Sequence, residues 1–357
     1  MEFLAEYGAF LLKAVTIVVA ILIVVGGIVS MSSRQKSHSE GELVVKKLNE
    51  ELEDHKDQLE DALLDKELLK QMAKDRKKEE KSKEKAAKKA AKTKQDNSDE
   101  AEANGKRVFV LDFDGDIKAS EVELLRHEIS AVLTMARPQD EVVVTLESGG
   151  GMVHSYGLAS SQLQRIRDKG IPLTVCVDKV AASGGYMMAC LANKIVAAPF
   201  AIIGSIGVVA QLPNFNRLLK KHDVDFELFT AGEYKRTVTM FGHNSAKAKD
   251  KFQSDLEETH ELFKGHVSQH RPDLNVEAVA TGDIWYGQQA LENGLIDQIG
   301  TSDQYLVDAC NDADVYTVRY EYKKSLQEKL GIAVQRGVES AFTRLLTAAN
   351  NRMQSKS

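Results

Sequence analysis

The chain has 357 residues, of which 43% are hydrophobic and 28% charged, with a formal net charge of −6. That apolar content suffices for a packed core, and the near-neutral balance excludes a protein that binds nucleic acid through its overall charge. Its three cysteines exclude a scaffold built on disulfides. All five prolines lie after residue 137, so the averages hide a chain in sections.

The first section is apolar. Ala9–Val29 is 21 residues long and carries one charge, Lys13. About 20 apolar residues cross a bilayer core, so residues 1–30 are predicted to be a transmembrane anchor. The stretch exceeds the roughly 7–15 apolar residues of a cleaved leader, and Glu2 and Glu6 precede it. A retained anchor is therefore expected. Arg34, Lys36, Lys46 and Lys47 follow it, which leans the rest of the chain toward the cytoplasm.

Residues 31–105 are polar, without proline or aromatic residues, and read as a helical charged stalk. Val45, Leu48, Leu52, Leu59, Ala62, Leu69 and Ala73 follow three-and-four spacing. His55 and Lys66 interrupt that seam, so a short coiled coil or a single helix is expected. Lys74–Lys94 carries 11 Lys and Arg against 4 Asp and Glu. It reads as a solvated linker, with attraction to anionic lipid as the rival reading.

The core is expected over residues 106–312. Strands are predicted at Val108–Phe113, Glu141–Leu146, Pro172–Asp178, Lys194–Ala198 and Asp225–Thr230. Helices are predicted at Ser120–Ala136, Val153–Lys169, Ser183–Asn193 and Ala246–His270. Strands alternating with helices make an α/β fold with parallel pairing. Val180–Leu212 has Lys194 as its single charge, yet its Gly, Ser and Pro residues argue for a buried core segment rather than a second span. A late strand at Val315–Arg319 and an amphipathic helix at Leu326–Ala349 fill a tail over 313–357.

Three segments can do chemistry. Ser183, in Ala181-Ala182-Ser183-Gly184-Gly185-Tyr186, opens a helix after a strand. Its hydroxyl can act as a nucleophile, with the Gly184 N–H aimed at an oxyanion, or it can simply cap the helix. The turn Ser148-Gly149-Gly150-Gly151 can supply a second oxyanion donor, cradle a phosphate, or merely turn tightly. It lacks the residues that complete a P-loop or a dinucleotide fingerprint. Lys235, in Ala231-Gly232-Glu233-Tyr234-Lys235-Arg236, is a candidate base. Burial or the like charge of Arg236 would favour its neutral form, whereas a surface lysine would have no such role. The downstream histidines His260, His266 and His270 read as surface residues. Neither H-E-x-x-H nor C-x-x-C is present, so no metal or other cofactor is expected.

The order of these motifs, together with Gly204-Ser205-Ile206-Gly207-Val208 and Ile284–Gly300, resembles the signal peptide peptidase A/SohB family of ClpP-like membrane serine peptidases. The resemblance covers about Val108–Gly300. It implies a ClpP/crotonase-like spiral core and hydrolysis of peptide bonds by a Ser–Lys dyad. Ser183 matches the family's nucleophile, Lys235 its general base and Ser205 the residue that orients the lysine. Gly150 or Gly151, with Gly184, match the oxyanion donors. Two departures stand out. Gly149 occupies the proline position of the family's S-P-G-G turn. Asp283 stands where an arginine often precedes the I-W-Y-G segment. The resemblance further implies peptide or membrane-protein substrates, a bacterial inner membrane and a homo-oligomer that can complete the dyad at a protomer interface. Family members often face the exterior, against the charge lean of the anchor. A crotonase-like acyl-CoA enzyme and a non-catalytic membrane scaffold are the alternatives.

Overall fold

The computed structural model describes residues 41–65 and 105–322, with isolated positions 16, 67–69, 71, 74 and 78. The expected anchor apart from Thr16, the lysine tract apart from Lys74 and Lys78, and the tail helix lie outside the described residues. The chain divides into a unit of residues 1–42 with 321–357 and a unit of residues 43–320. The first contains few described residues. The second carries the central sheet and the candidate site.

In chain order the elements are β1 (Gly41–Lys47), α1 (Leu48–Leu63), β2 (Arg107–Gly115), α2 (Val122–Leu133) and β3 (Glu141–Ser148). Then come α3 (Val153–Asp168), β4 (Leu173–Val177), β5 (Val180–Ala182), α4 (Gly184–Ala189), β6 (Lys194–Ala197) and β7 (Ile202–Gly204). After α5 (Asn216–Lys221) and the long α6 (Ala246–His270) follow α7 (Val276–Val279), β8 (Ile284–Tyr286) and α8 (Gly287–Glu292). The last described elements are β9 (Gln298–Ile299), α9 (Ser302–Asp312) and β10 (Asp314–Tyr322).

The main sheet runs β1-β10-β2-β3-β4-β6-β9, and every pair from β10 to β9 is parallel. Parallel strands buried on both faces favour near-continuous apolar runs, which VFVLDF and EVVVTL supply apart from Asp112, Glu141 and Thr145. Alternation sorts them between two layers. Val108, Val110, Val143, Cys176, Val196 and Val315 face one side, where Tyr305, Leu306 and Ala309 of α9 pack on them. Phe109, Leu111, Phe113, Val142, Val144 and Leu146 face the larger core with side chains of α2, α3, α4 and α6.

A fork in the sheet positions the site. The first part of β3 pairs with β4, but its last residue, Ser148, pairs with Ala181 of β5. β5 continues in parallel to β7, and β7 pairs antiparallel with β8. The Val180–Leu212 stretch thus supplies β5, α4, β6 and β7 to the core. Among the described residues, no helix is long and apolar enough to cross a membrane.

Two expectations change. Residues 31–105 do not form one stalk, because Gly41–Lys47 is a strand that pairs with β10 at the sheet edge. Asn49 locks that edge: its Nδ2 donates to Cys310 O at 3.1 Å and Ala313 O at 3.0 Å, and its Oδ1 accepts from Val315 N at 2.8 Å. The chain therefore joins the sheet at β1, before α1, and again at β2. The late strand expected at Val315–Arg319 is present as β10 and pairs with β2 from Asp314↔Arg107 onward. Finally, Asp225–Thr230 is not a strand. Its apolar residues, including Phe226, Leu228 and Phe229, are exposed and have no sheet edge to join.

Two carboxylates show how the core handles charge. Asp140 is fully buried between Arg107 and Arg137, at 2.6 and 2.9 Å. Burial opposes its ionisation, but hydrogen bonds from the two guanidinium groups outweigh that and hold it well below the usual carboxylate range. Glu128 on α2 has only the Tyr320 N–H, at 2.8 Å, on one oxygen, and its other oxygen is buried without a partner. Burial raises its carboxyl from 4.5 to about 7. The folded state therefore holds this proton more tightly than the unfolded chain, and stability falls as pH rises through that interval. Glu128→Gln keeps an acceptor for Tyr320 and removes the loss. Thermal unfolding should show the variant more stable by about 1–3 kcal/mol at pH 8 and close to the wild type near pH 4.

Candidate functional site

Ser183 occupies the sharp turn between β5 and α4. Its backbone is at φ 51° and ψ −117°, a left-handed geometry that costs a non-glycine residue energy. The Ser183 N–H donates to Gly204 O at 2.8 Å, and its carbonyl accepts from Met187 N at 2.9 Å. These bonds and the β5–β7 pairing hold the turn. The side chain makes no capping bond to the helix. The hydroxyl is therefore not used as a cap, and it lines a cavity of about 450 Å³.

Register brings the second motif alongside. Ala182 pairs with Gly204, so Ser183 and Ser205 leave adjacent strands at the same level. Ser205 is also in the left-handed region, at φ 49°, and its N–H donates to Asp283 O at 2.7 Å. Asp283 thus serves through its backbone carbonyl, while its carboxylate accepts from Thr281 Oγ1 at 2.6 Å. Gly204, at φ 97°, lies against Trp285, whose ring would be 2.8 Å from an added Cβ.

The glycine turn packs directly on the serine turn. A Cβ on Gly150 would lie 2.6 Å from Gly184 N, 2.7 Å from Ser183 Cβ and 2.8 Å from Ala182 O. Gly150 also has φ 85°, which a side chain would strain. A Cβ on Gly151 would lie 2.1 Å from Ile117 O. The two candidate oxyanion segments are therefore in backbone contact because neither carries a side chain there. Their N–H groups are not equivalent. Gly150 N–H donates to Ser148 Oγ at 3.0 Å. Those of Gly151 and Gly184 have no acceptor among the described residues.

The cavity is bounded by Gly157, Ser160 and Gln164 of α3, Met187 and Leu191 on the α4 side, and Phe263 and His266 of α6, among others. The histidines expected at the surface are half-buried instead. His260 donates through Nε2 to Ile206 O at 3.2 Å, and His266 likewise to Met187 O at 3.0 Å. Both pin α6 across the motifs. His270 stacks edge-on with His266 at 4.8 Å between ring centres. Burial, then the neighbouring His266 and Arg167, lowers its pKa and keeps it neutral. The polar helix composition concealed this role, because only the docking of α6 decides which face meets the core.

Lys235 lies elsewhere. It sits in an exposed turn, its N–H donating to Gly232 O at 3.2 Å, and it does not line the cavity with Ser183. The turn is tied to α6 by the Glu233–Lys247 ion pair at 2.7 Å and by Lys251 over the Tyr234 ring at 5.7 Å. The surrounding segment exposes Val209, Leu212, Leu218 and Phe229. The structure thus joins Ser183, Ser205, Gly150, Gly151 and Gly184 at one site and leaves Lys235 on an arm. Among the described residues, no cluster of His, Cys, Asp and Glu could hold a metal ion.

Comparison with known proteins assigns the class. The chain matches the family model Peptidase family S49 N-terminal over residues 2–163 and Peptidase family S49 over residues 165–316. It is 54% identical over 330 residues to a Haemophilus influenzae protein named Probable protease SohB, with 92% of each chain covered. A Buchnera aphidicola protein of the same name is 53% identical over 247 residues, covering 69% of this chain and 74% of its own. Protease 4 of Haemophilus influenzae is 30% identical over 162 residues, covering 45% of this chain and 26% of its own. The large mixed sheet with its flanking helices fits the ClpP-like peptidase fold, and the protein is a peptidase. The chain belongs to peptidase family S49, and within that family to the SohB type.

The contact between the glycine turn and the serine turn predicts the outcome of two neighbouring substitutions. Gly150→Ala should lower peptide hydrolysis at least about tenfold, because it pushes the two candidate donor segments apart. Gly149→Ala should leave the rate near that of the wild type, since nothing lies within 4 Å of its added Cβ. Hydrolysis rates measured beside thermal unfolding curves check both.

Proposed function

We propose that the chain is a membrane-anchored serine endopeptidase with Ser183 as nucleophile and Lys235 as general base. One observation carries the first half of this reading: Ser183 has an uncapped hydroxyl on a strained turn, and a glycine turn packs against it. Neutral Lys235 takes the Ser183 proton as Oγ bonds to the carbonyl carbon of a peptide. The carbonyl electron pair moves to oxygen, where the N–H groups of Gly151 and Gly184 receive it. Gly150 is the less suitable donor because Ser148 already accepts its N–H. Lysine then passes its proton to the leaving nitrogen as the C–N bond breaks. Water, deprotonated by the same lysine, hydrolyses the acyl-enzyme. Ser205 orients the lysine from beside Ser183.

The position of Lys235 bears on how the dyad forms. A lysine that serves as base needs removal from water, and this one is exposed within a single chain. The exposed apolar residues of its arm supply a surface for a second copy. We therefore assign the complete site to a homo-oligomer in which the arm of one protomer reaches the serine of the next. The cavity beside Ser183, with Val153, Met187, Leu191, Leu262 and Phe263 in its wall, suits an apolar side chain of the substrate. Signal-peptide remnants and segments of membrane proteins have that chemistry. The apolar stretch Ala9–Val29 supports an anchor in the bacterial inner membrane.

Ser183→Ala and Lys235→Ala should each lower hydrolysis of an apolar peptide by at least about a thousandfold without changing the thermal unfolding midpoint. Mixing the two inactive variants should restore activity, because a mixed oligomer pairs the serine of one with the lysine of the other. Wild-type activity should be higher at mildly alkaline pH than at pH 6, since only neutral lysine accepts a proton.

A further inference from the structure

We infer that Tyr156 is a positioning residue that fixes the spacing of the two oxyanion donors, acting through Ser148 on one and through its ring on the other. The inference rests on the proposed roles of Ser183, Gly151 and Gly184. Tyr156 is fully buried in α3, the helix that begins just after the glycine turn. It does not line the cavity, so it acts without touching substrate.

Its two ends hold the two segments. At the polar end, Tyr156 Oη donates to Asp116 O at 2.7 Å. It is also in hydrogen-bond contact with Ser148 Oγ, which lies 3.2 Å from a second acceptor, Gly115 O, so either hydroxyl can be the donor between them. Ser148 Oγ in turn accepts the Gly150 N–H at 3.0 Å. Gly150 N–H, Ser148 Oγ and Tyr156 Oη thus form one hydrogen-bonded relay that ends on the carbonyls of Gly115 and Asp116. The turn is therefore tied by this relay to the end of β2 and the loop after it. Burial raises the Tyr156 pKa, so the phenol remains a donor across the working pH range.

At the other end, the ring is a floor under Gly184. A Cβ on Gly184 would lie 2.3 Å from Tyr156 Cγ and 2.7 and 2.8 Å from the two Cδ atoms. The Gly184 backbone thus rests on the ring face. One rigid side chain spans both donors. Oxyanion stabilisation depends on donors held in place before charge develops, so loosening either end costs rate in the transition state rather than substrate binding.

The test uses Tyr156→Phe in the full-length chain, in detergent, with an apolar peptide substrate. Phenylalanine keeps the floor under Gly184 and removes the relay. The expected result is a loss in kcat of about 10- to 100-fold with KM within about twofold. Affinity for a leucine-terminated peptide aldehyde, whose adduct with Ser183 places an oxygen in the same hole, should fall by the same factor as kcat/KM. Affinity for the uncleaved peptide, measured in the Ser183→Ala background, should not change. Ser148→Ala should reproduce the loss, and the double variant should be no slower than the slower single one, because both cut one relay. Wild-type kcat and aldehyde affinity in Tyr156→Phe would overturn the inference. So would a loss that vanishes when the rate is divided by the fraction of folded protein. Full activity of Ser183→Ala would overturn the underlying reading instead, so the two failures are distinguishable.

Discussion

Close backbone contact between the glycine turn and the serine turn is the constraint on which the site depends. β3 ends at Ser148, where pairing passes to Ala181 of β5, and each chain then turns immediately. The two turns meet at distances that would put a Cβ of Gly150 within 3 Å of three atoms. Glycine is required there by space as well as by φ. The same economy recurs at Gly184 against Tyr156 and at Gly185, where a Cβ would lie 2.5 Å from Ser148 O. The core beneath is densely packed, so a shift at one of these contacts is transmitted rather than absorbed.

Strain at Ser183 and Ser205 follows from that arrangement. Both are non-glycine residues with positive φ, and both follow the paired residues Ala182 and Gly204. Their N–H groups are held by Gly204 O and Asp283 O, within the sheet branch that ends at β8. The β5–β7–β8 branch thus over-determines two conformations that would otherwise relax. An uncapped serine and a free Gly184 N–H are the result. The rigid sheet contrasts with the arm that carries Lys235, whose apolar side chains find little cover within the chain.

The charged section also takes a different meaning. With β1 on the sheet edge and Asn49 clamping the corner before β10, the sheet begins within the polar section. Its described start, Gly41–Asn49, is thus tied to the same sheet that β2 joins. Asn49 makes three backbone bonds that replace water at an otherwise open corner.

The alternation of apolar strands and helical stretches was enough to read the α/β class, the boundaries of α3 and α6, and the glycine and serine turns. Those features are local: they depend on period and on glycine placement. The motif order also identified Ser183, Ser205 and the glycines as candidates. Local pattern could not show that β1 joins the sheet, because GELVVKK has the charge of a solvated segment and gains its pairing only from β10. For the same reason DFELFT reads as a strand yet has no edge to join. Nor could it separate Gly150 from Gly151 as candidate donors, since the difference is one hydrogen bond from Gly150 N–H to Ser148 Oγ. Tyr156 gave no signal, because a tyrosine among small helical residues looks like any core aromatic. The sequence by itself determined which residue types could supply a nucleophile, a base and a hole. Only the tertiary structure decided which of them meet, because contact between distant segments is set by register and packing rather than by spacing along the chain.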